Sequence, residues 1–265
     1  MTEKTLNNRK NGMVVLLLLV LVYVASIVLF IFGVSYDILP LTLISCVWFV
    51  FGWIFFLGLK VLKPQEALVL TLFGKYVGTL KNSGFYFVNP FCTAVNPAAG
   101  TKLNQSGDVK VLGAKQPSGG ADVSVDIPTK KISLKIMTLN NNRQKINDCL
   151  GNPVEIGIAV MWRVVDTAKA VFNVDNYKEY LSLQCDSALR NIVRIYPYDI
   201  APNVDTTGDG IADEGSLRGS SEVVAARIKD EIQDKVSEAG IEILEARITY
   251  LAYAPEIAAV MLQRQ

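Results

Sequence analysis

The sequence predicts an α+β fold carried on an N-terminal transmembrane helical hairpin, and three observations predict it. Residues 13–33 form a run of 21 without a charge, and 38–59 form a second uncharged run almost at once. Residues 154–164 (VEIGIAVMWRV) put Val154, Ile156, Ile158, Val160, Trp162 and Val164 on one face. Residues 222–239 repeat Val224, Ile228, Ile232 and Val236 every four positions. A helix rises about 1.5 Å per residue, so roughly 20 apolar residues cross a hydrocarbon core of about 30 Å. Period two marks a half-buried antiparallel strand, and a stripe every fourth residue marks one buried side of a helix.

The hairpin comes first. Sixteen residues of 13–33 are Val, Leu, Ile or Phe, which favour insertion by at most about 5–10 kcal/mol. A cleaved signal peptide has an apolar core of only about 7–15 residues. A buried soluble helix pair is excluded by apolarity on every face. The seven connecting residues 34–40 reach about 25 Å when extended and cannot recross a bilayer. Lys4, Arg9 and Lys10 precede the first span, Lys60 and Lys63 follow the second, and the connection carries only Asp37. Positive flanks stay inside. The expectation is a multi-pass cell-membrane protein of two helices, with N- and C-termini both cytoplasmic and membrane lipids as surroundings. Trp48, near mid-span, is expected to pack on the first helix.

Residues 1–12 are polar, basic and Asn-rich, and read as a disordered cytoplasmic tail. After the hairpin (13–62), residues 66–73 and 76–80 are rich in strand formers on either side of Gly74-Lys75, and Asn82-Ser83-Gly84 turns into an aromatic strand 85–88. Residues 93–129 are full of Gly, Ala, Pro, Ser and Asn and read as an inserted surface loop, with a short hairpin pairing 109–112 with 123–127. Alternation resumes at 131–139, which closes a first subdomain 63–139. The second subdomain, 140–253, opens with a link over 140–152 and the strand 154–164. Asp166 is placed to cap a short helix to Phe172, and Asp175 a longer one over 176–195. On that helix Tyr177, Leu181, Gln184, Ala188, Ile192 and Ile195 share a stripe, while Arg190 and Arg194 form a solvated face. Ser220 or Ser221 caps the helix 222–239, which Gly240 ends. Residues 241–251 return as a strand, and 254–265 begin a C-terminal helix.

Composition narrows function. Lys+Arg 26 against Asp+Glu 25 gives a net charge of +1, with no basic field for nucleic acid. Histidine is absent, which excludes Ser-His-Asp and Cys-His nucleophile systems, HExxH zinc sites and His-ligated haem. The four cysteines (Cys46, Cys92, Cys149, Cys185) contain no CxxC and are expected as free thiols in a reducing compartment. The glycines of 113–120 lack the phosphate-loop order. No catalytic residue is assigned and no cofactor beyond a calcium candidate. Residues 204–215 (VDTTGDGIADEG) place Asp205, Asp209, Gly210 and Asp213 at positions one, five, six and nine of a calcium loop. Thr207 fills position three, and Ser216 stands where a bidentate Glu belongs. An acidic, solvated turn is the plainer reading of this partial match. Ile257, Val260 and Met261 make the last helix apolar for a free terminus, so they are the candidate oligomer contact, with packing on the chain's own domain as the competing reading.

Several words of sequence carry a resemblance. Pro64-Gln65-Glu66, Phe73-Gly74-Lys75, and Ser83-Gly84-Phe85 leading to Asn89-Pro90-Phe91 resemble the start of the SPFH domain of stomatins, prohibitins and flotillins, also called band 7. Asn152-Pro153-Val154-Glu155, Asp166-Thr167-Ala168-Lys169-Ala170, Ser187-Ala188-Leu189-Arg190, Leu217-Arg218-Gly219-Ser220 and the ending 251–257 continue it. The chain resembles bacterial members with a two-helix hairpin. The resemblance implies two successive α+β subdomains, and a last helix that in relatives runs on as an assembly rod. It also implies a non-enzymatic scaffold that forms homo-oligomers and organises membrane microdomains or client membrane proteins. A dedicated regulatory subunit of a membrane protease or ion channel is the alternative, and a hydrolase with a Ser-Lys dyad a distant third.

Overall fold

A computed structural model describes residues 2–6, 11–103, 109–111, 130–199 and 215–258. The chain divides into two compact units. The hairpin unit comprises Thr2–Asn96 and Lys130–Ser133, and the second unit takes Pro97–Thr129 and Leu134–Gln265. These units are drawn differently from the expected subdomains 63–139 and 140–253: the chain leaves the hairpin unit at 96 and returns to it for four residues.

Two helices head the hairpin unit, α1 (Gly12–Ser35) and α2 (Leu39–Phe51), the latter prolonged by a 3-10 segment Gly52–Gly58. The stretches Gly12–Ser35 and Leu39–Gly58 are long and apolar enough to cross a membrane. The buried residues of α1 are Gly12, Leu19, Ser26 and Gly33, every seventh residue. This heptad seam lets one narrow edge face α2 while the rest of the helix stays open, and its small residues permit close approach. Tyr23 crosses between the helices: its Oη donates to the Phe49 carbonyl at 3.2 Å, and its ring meets Phe56 edge-on at 5.7 Å. Trp48 stacks on Phe55 of its own segment, and its indole shares with the Tyr23 ring the space beside Gly52.

The second span ends at Gly58, within one residue of the expected end at 59. Leu59–Leu62 (β1) pairs antiparallel with β4 (Gly84–Phe87) rather than continuing the span. β2 (Glu66–Leu72) and β3 (Lys75–Leu80) form the expected hairpin, turning on Phe73 (φ +48°) and Gly74 (φ +82°). Both central residues lie in the left-handed region, as a tight hairpin turn matching the strand twist requires. β5 (Thr93–Ala94) pairs with β2, so the inserted loop begins with ordered strand. Leu68, Leu70, Leu80, Tyr86 and Val88 fill the core of this unit.

The second unit starts inside the expected loop, where β6 (Thr101–Leu103) pairs with β7 (Val109–Val111). Residues 109–111 thus pair backwards in sequence, and the partner expected at 123–127 lies outside the described residues. β8 (Ile132–Ser133) returns to β2. The stretch expected as one strand followed by a link is broken at 134–136 and then runs through 140–147 as β9 (Met137–Asn147). β10 (Pro153–Val164) is the central strand of a sheet ordered β11-β10-β9, with β11 being Ile241–Tyr253. The expected alternation holds: Val154, Ile156, Ile158 and Val160 are fully buried, and Trp162 and Val164 nearly so.

Helices α3 (Thr167–Phe172), α4 (Tyr177–Val193) and α5 (Ser221–Val236) complete this unit. Asp166 caps α3 by accepting from the Lys169 N–H. Asn176 caps α4, accepting from Lys178 and Glu179, in place of the expected Asp175. Only the residue whose side chain reaches the free N–H groups of the first turn can cap it, and that is decided by the entry of the chain. Tyr177, Leu181, Ala188 and Ile192 are buried on α4, whereas Ile195, expected on the same stripe, lies past the helix end and is exposed. Ser220 precedes α5 without a side-chain capping bond. Val224, Ile228, Ile232 and Val236 are all fully buried. Gly240 (φ +66°) closes the following 3-10 turn with its N–H on Ser237, a left-handed position where a side chain would also strike Asp166.

Candidate functional site

The two ends of the hairpin are drawn together on one small sheet. Val88 donates its N–H to the Gly58 carbonyl at 2.9 Å, so β4 is fastened to the last residue of the second apolar stretch. Gly12, at the start of α1, lies against Phe85 of the same strand. Residues 3–6 of the expected disordered tail run along the edge of β3. Leu6 N–H donates to the Thr79 carbonyl at 2.9 Å, Thr79 N–H to the Lys4 carbonyl at 2.8 Å, and Lys81 pairs with Glu3 at 2.5 Å. Tyr76 Oη accepts from the Lys4 N–H and bonds Thr79 Oγ1. Gly78 makes this possible, because a Cβ there would sit 2.6 Å from Leu6. Unpaired strand edges attract any extended chain, and β3 is covered by the segment preceding α1.

The root of the hairpin is basic. Lys60 and Lys63 follow Gly58, and exposed Lys75 stands beside the β2–β3 turn. Glu66 is committed elsewhere, bonded to Lys131 at 3.0 Å and to the Lys63 N–H at 3.2 Å. Burial tends to raise its pKa, but these bonds and the two lysine charges outweigh it and hold the carboxyl below its ordinary value. Aromatic rings also gather here. Phe73 is 86% exposed, Phe91 is 58% exposed, and their rings stack with centroids 6.4 Å apart.

The second unit holds two hydrogen-bonded carboxylates, of which Asp148 is buried and Asp186 half-buried. Asp148 accepts from the Leu150, Asn152 and Tyr198 N–H groups and from Asn152 Nδ2, at 2.8–3.2 Å. Asp186 accepts from Asn141 Nδ2 and from Gln144 Nε2, the latter at 2.7 Å. A carboxylate offers about four acceptor sites, so Asp148 has none left for a substrate and serves to tie the β9–β10 turn to the chain beyond α4. A groove of about 590 Å³ opens between α5 and β11, lined by Ser221, Glu222, Ala225, Lys229, Glu245 and Arg247. Its charges balance, and Arg247 Nε already bonds Glu245 at 2.5 Å.

Nucleophile chemistry finds little support. Burial pushes the Cys92 and Cys185 thiols up, and burial with the neighbouring Asp148 charge does the same for Cys149. All four cysteines are free, and those outside the spans are held as protonated thiols, the poorly reactive form. Two lysines of this unit are committed to oxygen partners, Lys235 to Glu231 at 2.8 Å and Lys178 to the Thr101 carbonyl at 2.6 Å. No group of three or more acidic or cysteine side chains that could hold a metal occurs among the described residues.

The residues singled out from the sequence fare unevenly. Asp205, Asp209 and Asp213 lie outside the described residues, as do Val260 and Met261. Ile257 is half-buried in the first turn of the last helix, and fully buried Ala254 donates to the Pro153 carbonyl. That turn is thus seated on its own sheet at its start. The aromatic pair and the N-terminal edge strand were both missed. Phe73 and Phe91 are 18 positions apart in sequence, and only the β2–β5 pairing brings them together. A family model described as the SPFH domain / Band 7 family matches residues 60–265, and no curated protein matches the chain.

Proposed function

The chain belongs to the SPFH domain / Band 7 family, and from that premise we propose that it is a non-enzymatic, membrane-anchored scaffold. The hairpin holds it in the cell membrane with both termini cytoplasmic, copies assemble side by side, and the assembly organises lipids or client membrane proteins such as proteases or channels.

The observation that carries this reading is the strapping of residues 3–6 onto β3. It ties the segment before the first apolar helix to the domain after the second, which supports a reading with both ends on one side. Lys4, Lys60 and Lys63 flank the two spans and Asp37 lies in their connection, a charge distribution that favours a cytoplasmic root of the hairpin. Confinement to two dimensions raises the effective concentration of one copy around another, which favours lateral assembly through weak contacts.

In sealed right-side-out vesicles, external protease leaves residues 64–265 intact, and the detergent-extracted complex contains many chains. Ile257→Asp with Met261→Asp moves that complex towards monomer while the circular dichroism stays unchanged. A wild-type chain that is monomeric in membranes would overturn the scaffold reading, and digestion from outside would overturn the topology.

A further inference from the structure

We propose that Phe73 and Phe91 form an aromatic foot that dips into the lipid interface beside the second span, holding the hairpin unit against the membrane at a point outside the hairpin itself. The proposal rests on the reading of 13–58 as membrane-spanning.

Phe73 is the most exposed large apolar side chain among the described residues, at 86%, and Phe91 beside it is 58% exposed. Neither belongs to an apolar helix, so neither is exposed merely as part of a span. Two features hold them outward. Phe73 sits at φ +48°, a left-handed conformation that is uncommon for a bulky residue and marks positions fixed by their surroundings. Phe91 lies inside a closed turn, in which Asn89 Oδ1 accepts from the Phe91 N–H at 3.0 Å and the Asn89 carbonyl accepts from Cys92 at 2.9 Å. The Thr71–Thr93 hydroxyl bond at 3.0 Å and the pairing of Leu70 with Ala94 clamp the two turns together.

The location selects lipid as the occupant. Val88 is bonded to Gly58, where the second apolar stretch ends. Phe91 follows Val88 by three residues, so its Cα lies within about 11 Å of Val88, given Cα steps of 3.8 Å. The foot therefore stands close to the end of the hydrophobic span. Exposed Lys75 follows Phe73 by two residues, and Lys60 pairs with Tyr86 on the strand that leads towards Phe91; both are cations suited to anionic lipid headgroups. Apolar rings rimmed by lysines are the composition of a surface that enters the headgroup boundary, where apolar burial and attraction to anionic lipid act together.

The test uses the full chain in liposomes of phosphatidylcholine and phosphatidylglycerol, with Trp48→Phe and Trp53→Phe removing the span fluorophores and buried Trp162 left as background. In that chain Phe73→Trp is quenched at least twofold by lipids brominated on the upper acyl chain, and aqueous iodide has little effect. Phe91→Trp gives the same result if Phe73→Trp fails to fold. Trp53, kept alone in the second stretch in a Trp48→Phe chain, reports insertion of the hairpin. Quenching of Trp53 without quenching of Phe73→Trp overturns the foot, whether iodide reaches the ring or a neighbouring subunit shields it. Loss of quenching at Trp53 as well overturns the membrane-spanning reading beneath it.

Discussion

Helix α1 and strand β10 are both strongly apolar, yet their side chains end in opposite places. On β10 the six residues of one face, Val154 to Val164 in steps of two, are buried, and Trp162 meets Tyr177 edge-on at 6.3 Å. On α1 only every seventh residue is buried, and Leu21 and Val14 remain 68% and 66% exposed. The strand is apolar in a pattern that the protein itself satisfies, since its large apolar residues lie on one face and Glu155 and Arg163 fall on the other. The helix is apolar on every side, and a single neighbour can cover only one seam of it. Hydrophobicity alone therefore does not say core; the angular distribution of the apolar residues does.

The comparison breaks most sharply at Trp162. Trp162→Ala empties a packed site and is expected to cost about 3–5 kcal/mol. The readout is native-state hydrogen exchange of β10 amides in the full chain held in detergent, because a chain of two units has no single unfolding free energy. If β10 protection survives, the core is less dependent on that face than its burial suggests.

A pH series sharpens the contrast without removing any atoms. Burial pushes the Tyr177 phenol up to about 12 from an ordinary value of 10. The folded state favours the neutral ring, so this stability is fully present below pH 10 and is lost as pH rises from 10 towards 12. The melting temperature of the second unit should fall across that interval, and fall less in Tyr177→Phe. An equal fall in both would show that Tyr177 is not the group being titrated.

The smallest effect is expected on the helix. Leu21→Ala removes a side chain that faces away from the protein, and β10 protection should change by less than about 0.5 kcal/mol. A loss of more than about 2 kcal/mol there, typical of a buried leucine, would mean that Leu21 is covered by protein in the membrane and would erase the difference between the two elements.

The sequence by itself determined what repetition can write. Uninterrupted apolar runs marked 13–33 and most of 38–59, period two marked β10, and a four-residue stripe marked α5, because each pattern follows from the local geometry of one element. Tertiary structure decided everything that needs a distant partner. Leu59–Leu62 sets three apolar residues about Lys60 and becomes a strand because β4 lies beside it. The polar N-terminal residues carry no period, and they order because β3 offers unpaired backbone groups. Residues 109–111 pair with 101–103 because that partner is the one within reach. The stacking of Phe73 on Phe91 follows from the short β2–β5 pairing. Backbone hydrogen bonds between strands depend on proximity rather than on side-chain type, so a chain can state which segments are willing to pair and leave to the fold which ones meet.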